Sequence, residues 1–146
     1  MASSKYEKLK TTGITRDTIY PPFLNMIFHA QKDYNFQIRF THVSVPFKGK
    51  EEPHKHDFAQ ILVFVPCTPD LNAYDAETDL YLGDEGEKIT IKETCAVLVP
   101  AGLTHAPIIH KRVGTPFFFV NCPLIGEYSA IMDGKKVEDP VSKKFI

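Results

Sequence analysis

His54 and His56 stand one residue apart, and a third histidine, His105, follows the turn-rich run Val99-Pro100-Ala101-Gly102-Leu103-Thr104. Alternate residues of an extended strand point to the same side, so the first two imidazoles can aim at one point. A third histidine delivered from another strand completes an open set of three protein ligands, the arrangement of a reactive metal. Such a metal acts as a Lewis acid or activates oxygen. The spacing locates that chemistry and leaves the substrate open.

Something must hold these residues, and the chain around them is patterned as strands. Runs rich in Val, Ile, Phe and Thr are short and end at Pro, Gly, Asn or Asp. Strands are predicted at Phe36–Val45, Gln60–Val65, Thr78–Leu82, Lys88–Ile91, Ala96–Val99, His105–His110 and Phe117–Val120. Turn residues separate them, and 11 prolines with 8 glycines argue against long helices. Closely spaced strands without alternating helices point to an all-β antiparallel sandwich or barrel. Residues 1–35 read as an extended N-terminal arm packing on the barrel or a partner subunit, with Tyr20-Pro21-Pro22-Phe23 at a corner. Within it, Leu24–Gln31 fits either a helical turn or a strand. Residues 36–128 read as the barrel, and 129–146 as an irregular C-terminal tail.

The totals exclude several classes. A chain of 146 residues makes one domain with a real core, and 43% hydrophobic with 24% charged residues suits a globular protein. A net charge of -1 argues against a nucleic-acid binder. No apolar run reaches the roughly 20 residues that cross a bilayer, and the first residues lack a secretory core. Cys67, Cys95 and Cys122 are odd in number and widely spaced, which suits buried thiols in a reducing cytoplasm. Ile61-Leu62-Val63-Phe64-Val65 and Phe117-Phe118-Phe119-Val120 are apolar on both faces, so a covering segment or a homodimer is expected.

The order His54-x-His56, then Pro100-x-Gly102-x-x-His105, resembles the two sequence motifs of the cupin superfamily. In the first motif, Gly49 lies one residue closer to His54 than the family pattern has it, Gln60 stands at the glutamate position and Cys67 at the closing glycine. In the second, Thr94 replaces the opening glycine and Ile109 the closing asparagine. The resemblance implies a single jelly-roll barrel with a metal in its mouth. It makes His54, His56 and His105 the ligands of one divalent transition metal: Fe, Mn, Zn, Ni or Cu.

Gln60 is the informative departure. Four residues of straight strand would put it about 13 Å from His56, so it reaches the same metal only if the chain bends at Asp57-Phe58-Ala59. As a ligand it would be neutral, which leaves about one more unit of positive charge to favour an anionic or enolate-like substrate. The alternative is a hydrogen bond in the pocket wall. His42, Arg39 and Tyr34 are the candidate substrate contacts. Strand alternation sends His110, five positions beyond His105, to the exterior. Glu77, Asp79 and Tyr81 share one strand face, lining a pocket or meeting water.

Two functions follow from different classes. One is a small metalloenzyme acting on a small organic molecule, with isomerase, lyase and dioxygenase chemistry all open. The other is a non-catalytic module binding a small molecule or a sugar. A barrel whose histidines are relics is the third.

Overall fold

The computed structural model describes residues 4–18, 23–29, 36–125 and 129–138. Twelve strands form there: β1 (Ile14–Asp17), β2 (Leu24–His29), β3 (Gln37–Val43), β4 (Phe47–Lys48), β5 (Gln60–Pro66), β6 (Ala76–Leu82), β7 (Glu87–Ile91), β8 (Cys95–Val99), β9 (His105–Val113), β10 (Phe117–Pro123), β11 (Ser129–Met132) and β12 (Lys135–Glu138). The strands predicted from Phe36 to Val120 all appear, with ends shifted by three residues at most. One sheet has the order β1-β2-β3-β10-β5-β8, and a second has β4-β9-β6-β7. Every pairing is antiparallel, as an all-β jelly roll requires.

Period-two patterning sets the core. Along β5, Gln60, Leu62, Phe64 and Pro66 are buried while Ile61, Val63 and Val65 are half-buried. Leu62 and Phe64 meet Val43 of β3, Phe117 of β10, Val99 of β8 and, across the sandwich, Ala76, Leu80 and Ile91. Phe64 and Leu80 are almost wholly enclosed, so truncating either to alanine removes about 2–5 kcal/mol of stability.

His110 departs from its expected exterior position. β9 pairs with β6 at His105↔Leu82, Ile108↔Leu80 and His110↔Thr78, with a bulge between Leu80 and Leu82. Three residues of β9 therefore span two of β6, and the extra one restores His110 to the face of His105. There it accepts or donates a 2.9 Å bond with Thr78 Oγ1 and packs on Phe47 and Phe117. Alternation alone gave the wrong face because it cannot register an inserted residue.

The two ends also differ from expectation. The described part of the N-terminal segment contributes β1 and β2 in the plane of the large sheet, with β2 beside β3. That settles Leu24–Gln31 as strand over Leu24–His29. It also leaves Met26, Phe28, Phe40 and Phe118 on an apolar outer face together with His42. The tail expected to be irregular forms the hairpin β11–β12, turning at Asp133-Gly134, where Gly134 takes φ 74°. Glu77 and Asp79 both pair with Lys111 at 3.2 Å.

Burial pushes the His110 imidazole down to about 4 from an ordinary 6.5. The unfolded chain thus takes up a proton first, and stability is lost as pH falls from 6.5 towards 4, by up to about 3 kcal/mol from this residue. His110→Phe is expected to flatten that acid limb, measured by urea denaturation at pH 7, 5.5 and 4.5. An unchanged slope would place the acid sensitivity elsewhere.

Candidate metal centre

Backbone bonds bring the three histidines together before their side chains meet. His54 N–H donates to the His105 carbonyl at 3.0 Å, and His105 N–H returns the bond to His54 at 2.8 Å. Gly102, at φ 83°, turns the chain after Pro100 and donates its N–H to the His56 carbonyl at 2.8 Å. Only a residue free of Cβ strain takes that conformation easily, which is why the Pro-x-Gly turn precedes His105. On the other side, Lys55 and Ile131 exchange both backbone bonds, so β11 clamps the His-x-His segment. No signal in the sequence marked the tail for that task.

The rings then face one another. Centroids of His54 and His105 lie 4.5 Å apart, those of His56 and His105 4.9 Å, and those of His54 and His56 5.1 Å. One ligand atom from each falls within 4.8 Å of the others, and all three residues are buried. Each Nδ1 meets a backbone carbonyl: His54 that of Glu52 at 2.8 Å, His105 that of Leu103 at 3.1 Å, and His56 that of Ser129. A carbonyl only accepts, so each Nδ1 carries a proton, and in the neutral ring the Nε2 then presents a lone pair. That is the tautomer a metal-binding histidine needs, with its outer nitrogen fixed by a second partner.

Charge follows the same direction. Burial, more than any neighbouring charge, pushes His56 and His105 down to about 4, so both are neutral near pH 7. His54 Nε2 is buried with no hydrogen-bond partner, and so is Gln60 Oε1. Orphaned buried acceptors of this kind cost about 1–3 kcal/mol each, and a cation is a partner that would satisfy them. The chain bends at Asp57 and Phe58, and His56 stacks on Phe58 at 4.7 Å. The bend brings Gln60 to His105, Nε2 to Nε2 at 2.9 Å. Exchanging the amide's oxygen and nitrogen would present an acceptor at the same place, so this side chain can face a lone pair or a cation.

A cavity of about 80 Å³ adjoins the triad through His105 and Gln60. Leu62, Ile108 and Phe119 form its apolar wall, and Asn25, Arg39, Glu51 and Asn121 its polar one. Of the predicted substrate contacts, Arg39 is here, buried, with its Nε donating to Gln37 Oε1 at 2.7 Å. His42 is not: it lies on the outer face of the sheet, edge-on to Phe118 at 5.6 Å. Tyr34 lies outside the described residues. Glu51 is the residue that sequence reading missed. Its Oε2 is 3.8 Å from His54 Nε2, and burial holds its carboxyl above the ordinary range while His54 and Arg39 pull the other way. An i, i+3 acid before a histidine gave no signal, because loop geometry decides whether the two meet.

No sequence-family model matches the chain, and no curated protein matches it. Solved structures do. A cupin superfamily protein from Desulfitobacterium hafniense is 21% identical, with a TM-score of 0.50 over 75% of this chain and 83% of its own. The chain has a cupin fold. AerE from Microcystis aeruginosa superposes at 0.56 and 14% identity over 82% of this chain and 48% of AerE. An FeII form of HppE superposes at 0.53 and 9% identity, over 84% of this chain and 59% of HppE. This chain thus spans about half the length of the latter two, so their activities are not carried over with the fold. In cupin terms, the matched histidines of both motifs converge, and the departures at Gln60 and Ile109 leave that convergence intact.

Removing any one imidazole leaves two candidate ligands and a backbone carbonyl without its imidazole donor. His54→Ala, His56→Ala and His105→Ala are each expected to weaken divalent-metal binding by more than the roughly 10- to 100-fold typical of losing an outer partner. Titration against a chromogenic chelator checks this. Wild-type affinity in all three would show that the triad holds no metal.

Proposed function

We propose that the protein is a metal-dependent enzyme acting on a small organic anion by Lewis-acid or oxygen chemistry. One divalent ion, Fe, Mn, Zn, Ni or Cu, would be held by His54, His56 and His105, with Gln60 at the fourth position. The observation that carries this reading is the convergence of three buried imidazoles beside a cavity lined in part by Arg39. Iron stays among the candidates in part because HppE, of the same fold, is described with FeII.

The ion would supply charge at the reacting oxygen, or a site for oxygen itself. The chain's own residues do the rest. Arg39 neutralises the negative charge of the bound molecule, as a guanidinium does for a carboxylate or phosphate. Asn121 Oδ1 is buried without a donor on the cavity wall, and so suits a ligand hydroxyl. Leu62, Ile108 and Phe119 exclude water and strengthen each of these contacts. At about 80 Å³ the cavity is far smaller than the roughly 300 Å³ of a drug-sized site, which favours a compact acid.

The alternative is a binding module without turnover. It is favoured by Gln60, an amide with no useful proton affinity where the family pattern has a carboxylate. A homodimer and a cytoplasmic setting also belong to this reading. The first is supported by the exposed apolar face around Met26 and Phe118, the second by three cysteines that form no disulfide. Among the described residues, no helix is long and apolar enough to cross a membrane.

The test is metal content followed by a screen of small hydroxy and oxo acids. About one ion per chain is expected, with turnover lost in His105→Ala while the fold persists. Arg39→Gln should weaken binding of an acidic substrate about 10- to 100-fold, the worth of a charged hydrogen bond. Absence of stoichiometric metal after reconstitution would overturn the enzyme reading. Tight ligand binding without any turnover would favour the module.

A further inference from the structure

We propose that Glu51 is the carboxylate ligand of the metal centre, supplied from the loop before the His-x-His pair instead of from the Gln60 position. This rests on the metal-binding reading above. The motivating contact is Glu51 Oε2 at 3.8 Å from His54 Nε2. His54 donates its Nδ1–H to the Glu52 carbonyl, so in the neutral ring the nitrogen facing Glu51 is a lone pair, and among the described residues no hydrogen-bond donor meets it. Two electron-rich atoms facing one another in a buried site repel unless a proton or a metal cation lies between them, and at 3.8 Å the gap is longer than a hydrogen bond.

The separation suits a shared ion. Zinc-type bonds of about 2.0–2.2 Å to nitrogen and oxygen allow two ligand atoms to lie up to about 4.2 Å apart on one metal. The three histidine nitrogens themselves lie as much as 4.8 Å apart, so loading draws every donor inward, Glu51 with them. Charge points the same way. Imidazole and amide ligands bring no negative charge, so a divalent ion would keep both its charges, beside the Arg39 cation on the same cavity wall. A buried cation pair of that kind needs an anion, and among the residues lining the cavity Glu51 is the acid.

Glu51 is also well placed by its neighbours in sequence. Gly49 N–H is fixed to the Ile108 carbonyl at 3.0 Å, and His54 is fixed through Glu52 and His105. The segment carrying Glu51 is therefore held at both ends against the triad. A ligand on this loop restores the charge that Gln60 removed, without restoring the family's spacing.

The experiment is a cobalt(II) titration of metal-free wild type, Glu51→Gln, Glu51→Asp and Gln60→Ala, followed by visible absorption and chelator competition. Glu51→Gln is expected to weaken cobalt binding about 100-fold or more and to change the visible bands, exceeding the effect of Gln60→Ala. Its metal-free form should melt at or above wild type, because a buried charge has been removed, while the cobalt-loaded form should melt below. Glu51→Asp keeps the charge and withdraws it by one methylene, so it should bind more weakly with altered bands even if Glu51→Gln fails to fold. Wild-type affinity and an unchanged spectrum in both variants would overturn the assignment and leave the metal-binding reading standing. Failure of wild type itself to bind cobalt, zinc or iron would overturn both.

Discussion

The two-way backbone bond between His54 and His105 is the constraint on which the site depends. It joins the loop entering β5 to the first residue of β9, and so links the large sheet to the small one at the mouth of the sandwich. With that pair closed, the rings of His54 and His105 face each other, and Gly102 can reach the His56 carbonyl. Without it, three histidines on separate segments would each be an ordinary polar residue at a strand end. A backbone pair suits this task because its geometry is fixed by two bonds and does not depend on side-chain rotamers.

The second level is the set of carbonyls behind the rings. The Glu52, Leu103 and Ser129 carbonyls each accept a hydrogen bond from an Nδ1–H, which turns all three Nε2 atoms inward. Burial then keeps His56 and His105 neutral, so they do not repel a cation at neutral pH. Ser129 belongs to the C-terminal hairpin, and that hairpin is bonded to Lys55 as well. Strand β11 therefore holds the segment from His54 to His56, a dependence between residues more than seventy positions apart.

Around this centre, polarity is distributed by the pleat. β10 sends Phe119 and Asn121 inward and Phe118 outward, so one strand serves the cavity and the apolar outer face together. β3 does the same, with Arg39 in the cavity and Phe40 and His42 outside. The bulge in β9 is the exception that matters. It permits both His105 and His110 to face inward, one towards the mouth and one among the aromatic rings of the core.

Much of this was legible from residue types and spacing. The strands between Phe36 and Val120 follow from β-branched and aromatic runs cut by turn residues, because that pattern is local. The triad was legible because His-x-His and Pro-x-Gly-x-x-His name their own turn and strand geometry. What the tertiary structure alone decided are the relations that local pattern does not encode. Residue counting placed His110 outside, since nothing in the sequence announces the inserted residue of β9. His42 and Arg39 looked equivalent until the sheet acquired an inner and an outer face. Glu51 drew no notice because an acid in a loop gains meaning only from what folds against it. The sequence by itself determined the candidate ligands and the β architecture; long-range backbone pairing decided which side chains share their cavity, since that depends on contacts between segments far apart in the chain.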